Sequence, residues 1–143
     1  MTKTAFAAFL ILSSLLVSCG STSKPKAPSA AIPAGAAVHV VKHENSSRDI
    51  DTYLRNAFAK RGYAATSGTK AEMPASAGFY VTYVDRWYWD LAMYLVSLEV
   101  TLHDAQNGQV VNSSRYKNGI LHTYPSPAGK SDELVARLLG QAK

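Results

Sequence analysis

Residues 79–103, FYVTYVDRWYWDLAMYLVSLEVTLH, alternate between two sets of side chains. Phe79, Val81, Tyr83, Trp87 and Trp89 share one parity, and Tyr80, Thr82, Val84, Arg86 and Tyr88 share the other. Ala92, Tyr94, Val96, Leu98, Val100 and Leu102 then alternate with Ser97, Glu99, Thr101 and His103. A period of two sends successive side chains to opposite faces of a pleated chain, so the stretch reads as two long β-strands. Asp90 falls at the expected turn, although no Gly or Asn stands there to build a tight hairpin. Leu91, Ala92, Met93 and Leu95 also permit a helix over 89–97, which is the competing reading.

Downstream, Asp104 to Gly108 ends in an Asn-Gly pair, a strong hairpin signal, and Val110 to Tyr116 returns as a strand. A loop with Gly119, Pro125, Pro127 and Gly129 leads to a helix expected to begin at Ser131, Asp132 and Glu133, with Leu134, Val135, Leu138 and Leu139 inward. Upstream, Val38, Val40 and Val41 read as a first strand. Ser46 with Asp49 suggests a capping box, and Ile50, Tyr53, Leu54, Ala57 and Phe58 recur at helical spacing. Lys60 and Arg61 suit the last turn, with Gly62 placed for a left-handed cap. Tyr63 to Ser67 forms a short strand and Gly68 to Ala77 a loop. The expected fold is α+β: an antiparallel sheet of four to five strands with two helices packed on one face, a two-layer sandwich.

The chain begins differently. Lys3 precedes an apolar run from Ala5 to Val17, broken only by Ser13 and Ser14 and too short for the ~20 residues that span a bilayer. It reads as a secretory signal. Leu16, Val17, Ser18 and Cys19 resemble the lipobox of bacterial lipoproteins. That resemblance implies a diacylglyceryl group on the Cys19 thiol, cleavage before Cys19 and acylation, such as palmitate, of the new amino terminus. From Gly20 to Ala37, Pro25, Pro28 and Pro33 lie among small residues with little to bury, the composition of a disordered tether. The expected organisation is a signal peptide at 1–18, a lipidated cysteine and tether at 19–37, and one domain at 38–143. Gly20 and Ser21 bring no aspartate, which by the lipoprotein sorting rule implies outer-membrane delivery. The expected location is therefore the outer membrane, lipid-anchored and facing the periplasm.

Cys19 is the single cysteine, so no intrachain disulfide is available. The net charge is +5, and removing Lys3 with the signal leaves 14 basic against 10 acidic residues, a modest excess suited to anionic lipid. Lys24 with Lys26 and Lys60 with Arg61 are the densest basic pairs, far from a nucleic-acid patch. No Gly-x-Ser-x-Gly elbow is present, and Ser113, Ser114 and Ser126 fall in strand or loop. His39, His43, His103 and His122 are scattered. His39 and His43 have a four-residue spacing, but on a strand and turn their rings would stand apart, so no metal or other cofactor is expected. Asp85 and Asp90 flank the aromatic triplet, and glycosidases use two acids with aromatic stacking, yet on a strand their parity is opposite.

The run Trp87-Tyr88-Trp89-Asp90-Leu91-Ala92-Met93-Tyr94-Leu95 resembles the Trp-x-Trp-Asp-x-Ala-x-Tyr signature of the Sbal-type family of small proteobacterial lipoproteins, and the likeness runs at pattern level from Val38 to Leu139. It implies localisation and architecture and carries no established activity. Trp87 and Trp89 are expected in the core, with Tyr80, Arg86 and Tyr88 on the opposite face as a contact surface for an envelope protein or glycan. The functional expectation is a membrane-anchored, non-enzymatic binding or assembly-accessory module of the envelope. The alternative is a glycan- or peptidoglycan-acting enzyme using Asp85 and Asp90.

Overall fold

The computed structural model of the chain describes residues 32–45, 48–119 and 124–142. The signal segment, Cys19 and most of the tether lie outside the described residues, as does Ser46. The elements follow in the order β1 (Ala37–Val41), α1 (Ile50–Ala59), β2 (Ala64–Gly68), β3 (Phe79–Asp90), β4 (Ala92–Asp104), β5 (Val110–Lys117) and α2 (Pro127–Leu138), with a short 3-10 turn at Lys70–Glu72 between β2 and β3. One sheet in the order β2-β1-β3-β4-β5 carries both helices, as the α+β two-layer reading requires.

The sheet is mixed. β1 pairs in parallel with both β2 and β3, whereas β3–β4 and β4–β5 are antiparallel. The parallel pairs follow from connectivity. A helix between β1 and β2 returns the chain to the end of the sheet where β1 began, so β2 must run the same way. β3–β4 and β4–β5 have short connections and turn back antiparallel.

Ile50, Leu54 and Phe58 on α1, and Leu134, Val135 and Leu138 on α2, are buried against Val38, Val40, Val81, Tyr83, Leu98, Val100 and Leu102. Each helix thus buries the apolar stripe that its spacing encodes. Ile32 joins the same core, so the packed chain includes residues that the composition assigned to the tether. Burying a side chain of that kind is worth about 1.5–3 kcal/mol, enough to hold the segment down.

Helix boundaries depart from expectation at both starts. α1 begins at Ile50 with Asp49 at the N-cap position, where it has φ 54° and makes no side-chain capping bond. α2 begins at Pro127, four residues before Ser131. Ser126 is its N-cap, with Oγ accepting from the Gly129 amide at 3.2 Å, and Pro127 sits where a missing N–H costs nothing. α1 ends as expected, with Gly62 in the left-handed region at φ 82°. The Asp104–Gly108 turn is built as read. Asp104 Oδ1 accepts from the amides of Gln106 and Asn107, and Gly108 supplies φ 71°.

Candidate functional site

β3 and β4 are longer than the helices that cover them. A 12-residue strand extends about 40 Å at ~3.3 Å per residue, whereas a 12-residue helix extends about 18 Å. The sheet therefore runs on past its second layer. Along β3 the inward residues Val81 and Tyr83 are buried, Trp87 is half-buried against the core, and Trp89 is 65% exposed. The two tryptophans that share a parity thus have different fates. Trp87 packs against the core as expected; Trp89 is not among the residues packed there and stays exposed.

A β-bulge changes the facing of β4 at this point. Arg86 pairs with Ser97 and Trp87 with Leu95, so Val96 has no partner across the strand. The extra residue inverts the alternation. Leu98, Val100 and Leu102 face the helices on one side of the bulge, and Leu95 takes that face on the other. Tyr94, expected to share a face with Leu98, is instead opposite Tyr88. Its ring meets Tyr88 edge-on at 5.9 Å and Tyr124 at 5.5 Å, and the Tyr124 hydroxyl donates to the Asp90 carbonyl at 3.0 Å. Burial, with Asp90 nearby, pushes the Tyr94 phenol above its ordinary range. Tyr88, Trp89, Asp90, Tyr94 and Val96 line an open recess of about 520 Å³ beside these rings.

Leu91, not Asp90, is the turn, and the helical reading of 89–97 is not adopted. Leu91 stands alone between the paired Asp90 and Ala92 with φ 54°. Only Gly, Asn and Asp enter this region readily. Its side chain is 89% exposed. Tyr88 (60%), Trp89 (65%), Met93 (39%) and Tyr124 (55%) are exposed around it, so the end of the hairpin is a cluster of large apolar side chains in water.

The expected contact strip of Tyr80, Arg86 and Tyr88 lies on one face of β3 but is not one site. Tyr80 stacks on His103 with ring centroids 4.6 Å apart and planes 4° from parallel, and Lys70 Nζ lies 3.0 Å from its centroid. His103 is held in turn by Thr82 Oγ1 at 2.9 Å. That ring is already engaged by its own chain. Tyr88, eight residues away, belongs to the hairpin end, with Arg86 behind it. Leu91, Met93 and Tyr124 complete the cluster and lie outside the expected strip: the alternation gave Leu91 and Met93 no face, and Tyr124 falls in the loop before α2.

Asp85, His39, His103 and Ser126, among the candidate catalytic and metal-binding residues, have structural partners. Asp85 accepts from Trp87 Nε1 at 2.5 Å, pinning the indole that closes the core. Asp90 lies five residues on along the same extended strand, about 17 Å by the rise per residue, beyond the separations at which paired glycosidase acids work. His39 is buried, with Nδ1 2.8 Å from Thr66 Oγ1 and Nε2 3.1 Å from the Thr69 carbonyl; His43 is exposed. Ser126 caps α2. Among the described residues no group of three His, Cys, Asp or Glu side chains gathers as a metal would need. His122 and Cys19 lie outside the described residues.

No protein-family model matches the chain, and no curated protein matches it in sequence. Solved structures do resemble it. A PelC dodecamer from Paraburkholderia phytofirmans superposes with a TM-score of 0.51 at 16% identity, over 78% of this chain and 93% of that one. TolB from Acinetobacter baumannii gives 0.48 at 13% identity, over 75% of this chain and 29% of the longer TolB chain. Lipoprotein GNA1162 from Neisseria meningitidis gives 0.43 at 15% identity, over 74% and 96%. At these identities the likeness is one of fold.

Proposed function

We propose that the chain is a lipid-anchored, non-enzymatic binding module of the bacterial envelope. It acts through the end of the β3–β4 hairpin and is held at the periplasmic face of the outer membrane by acylated Cys19. The observation that carries the reading is the exposed cluster of Tyr88, Trp89, Leu91, Met93 and Tyr124. Large side chains left in water beyond the reach of their own core are the ordinary mark of a contact surface. The lipobox-like Leu16-Val17-Ser18-Cys19 and the Sbal-type motif support the envelope setting.

Photo-crosslinking in intact cells from position 88, compared with position 113 on the outer face of β5, tests the surface. Capture of an envelope component from 88 and not from 113 is expected, and equal capture from both would refute it. The anchor is tested by the mass of the mature protein. Wild type should carry acyl groups on Cys19, and Cys19→Ser should accumulate as an unacylated precursor; a free thiol in the exported product would remove the anchor from the proposal.

A further inference from the structure

The hairpin end combines three features that together select one kind of partner. The first is the tip. Leu91 occupies a backbone region unfavourable to it and exposes 89% of its surface, so folding gains from neither its conformation nor its side chain. Asn or Gly would turn the strand with less strain and better solubility. The second is composition. Trp89 pairs with Met93 across the hairpin, and Tyr88 and Tyr124 are exposed on its other face with Leu91 at the tip, the combination of amphipathic aromatics with aliphatics found where a chain enters a membrane interface. The third is charge behind the tip. The register places Arg86, Ser97 and Lys117 in one row across β3, β4 and β5, and both cations are exposed.

That row runs across the strands, about 17 Å back from Leu91. With the hairpin upright on a bilayer it lies parallel to the membrane plane. Long basic side chains reach forward along the sheet to headgroup level while the tip enters the acyl boundary by about 5–10 Å. Arg86 and Lys117 have no ion-pair partner among the described residues, whereas Arg115 on the same face pairs with Glu99 at 3.8 Å. Asp85 and Asp90 are the opposing charges at this end, and Arg48, 4.9 Å from the centroid of the Trp87 ring, leaves it net positive with Arg86 and Lys117.

We propose that the end of the β3–β4 hairpin is a wedge that enters an anionic phospholipid surface, a second membrane contact besides the acylated cysteine. This rests on the envelope-module reading above and gives its surface a partner, the anionic phospholipid bilayer itself. A protein partner would not require the unpaired cationic row set back from an apolar tip.

The test uses the full chain reconstituted in vesicles of phosphatidylcholine with phosphatidylglycerol brominated in its acyl chains. Tryptophan emission should be quenched. The quenched component should vanish in Trp89→Phe, which removes the reporter at the tip and leaves the half-buried Trp87. Leu91→Asn with Met93→Ser should weaken it several-fold, as should Arg86→Glu with Lys117→Glu, and Asp90→Asn should strengthen it. Circular dichroism of each variant verifies folding. Emission from Trp89 that stays unquenched overturns the wedge. So does quenching that ignores both pairs of substitutions. If Trp89 is unquenched but position 88 crosslinks specifically to an envelope protein, the wedge is wrong while the binding-module reading stands. If neither occurs, both are wrong.

Discussion

Arg61, just beyond the end of α1, clasps Asp132 on α2. Nη1 donates to Oδ1 at 2.7 Å and to the Ala57 carbonyl at 2.8 Å, and Nη2 donates to the Asp132 carbonyl at 3.1 Å. One guanidinium therefore bridges both helices, satisfies a carbonyl at the end of α1 and sits 14% exposed. Its bonds to Asp132 hold that carboxyl below its usual range, aided by the charges of Arg61 and Lys60.

Arg61→Ala should lower stability by about 1 kcal/mol, a value kept small because the carboxylate is 36% exposed and solvent screens the pair. A carboxyl whose folded-state pKa is lowered stabilises the fold at pH above its unfolded value and loses that contribution as pH falls through the folded one. The wild type should thus lose part of its stability as pH falls below about 3.8, the ordinary value for Asp132. In Arg61→Ala this acid-sensitive component should be smaller. Thermal melts of both proteins at pH 7 and pH 3 measure it.

Leu91→Asn should raise stability by about 0.5–1 kcal/mol, because Asn tolerates the left-handed region that Leu occupies at φ 54°. Chemical denaturation measures this without reference to any ligand. A gain in stability accompanied by weaker vesicle contact would identify a residue retained against the interest of folding.

His39→Ala should cost about 2–4 kcal/mol, since it opens a cavity at a buried position and removes the ring's bonds to the Thr66 hydroxyl and the Thr69 carbonyl. The carbonyl can only accept, so Nε2 bears a proton. Thr66→Val removes only the Nδ1 partner and should cost less. Urea midpoints at unchanged slope are the readout.

Ser126→Ala should destabilise by about 1 kcal/mol through loss of the cap on α2. Asp132→Asn tests a different contact of the same helix, and the two effects should add, because the residues share no partner. Melting temperatures of the single and double variants decide this.

Much of the fold could be read from short-range pattern. The helical spacing from Ile50 to Phe58, the Asn107-Gly108 turn and the alternation from Phe79 to Tyr83 each encode a local structure that tertiary packing then accepts. Other features were visible but read too weakly. Ser126-Pro127 is a helix start by cap and proline, obscured by the acidic residues at Asp132 and Glu133. A strand, a helix and a strand in succession imply parallel pairing of β1 and β2. The remainder is not local. The bulge at Val96 depends on how β4 meets β3, and the exposure of Trp89 depends on where the helices stop. No periodicity along β3 encodes the length of α2, so a tryptophan with core parity can still lie beyond the core.

The position of β1 has a mechanical consequence. It is flanked by hydrogen-bonded strands on both sides, in the order β2-β1-β3, and it starts at Ala37, just after Ile32 enters the core. Tension applied along the axis of that inner strand loads it against both neighbours. Both ladders then resist together in shear, where an edge strand would be held by one ladder alone. A pull along β1 therefore loads the sheet in its strongest direction.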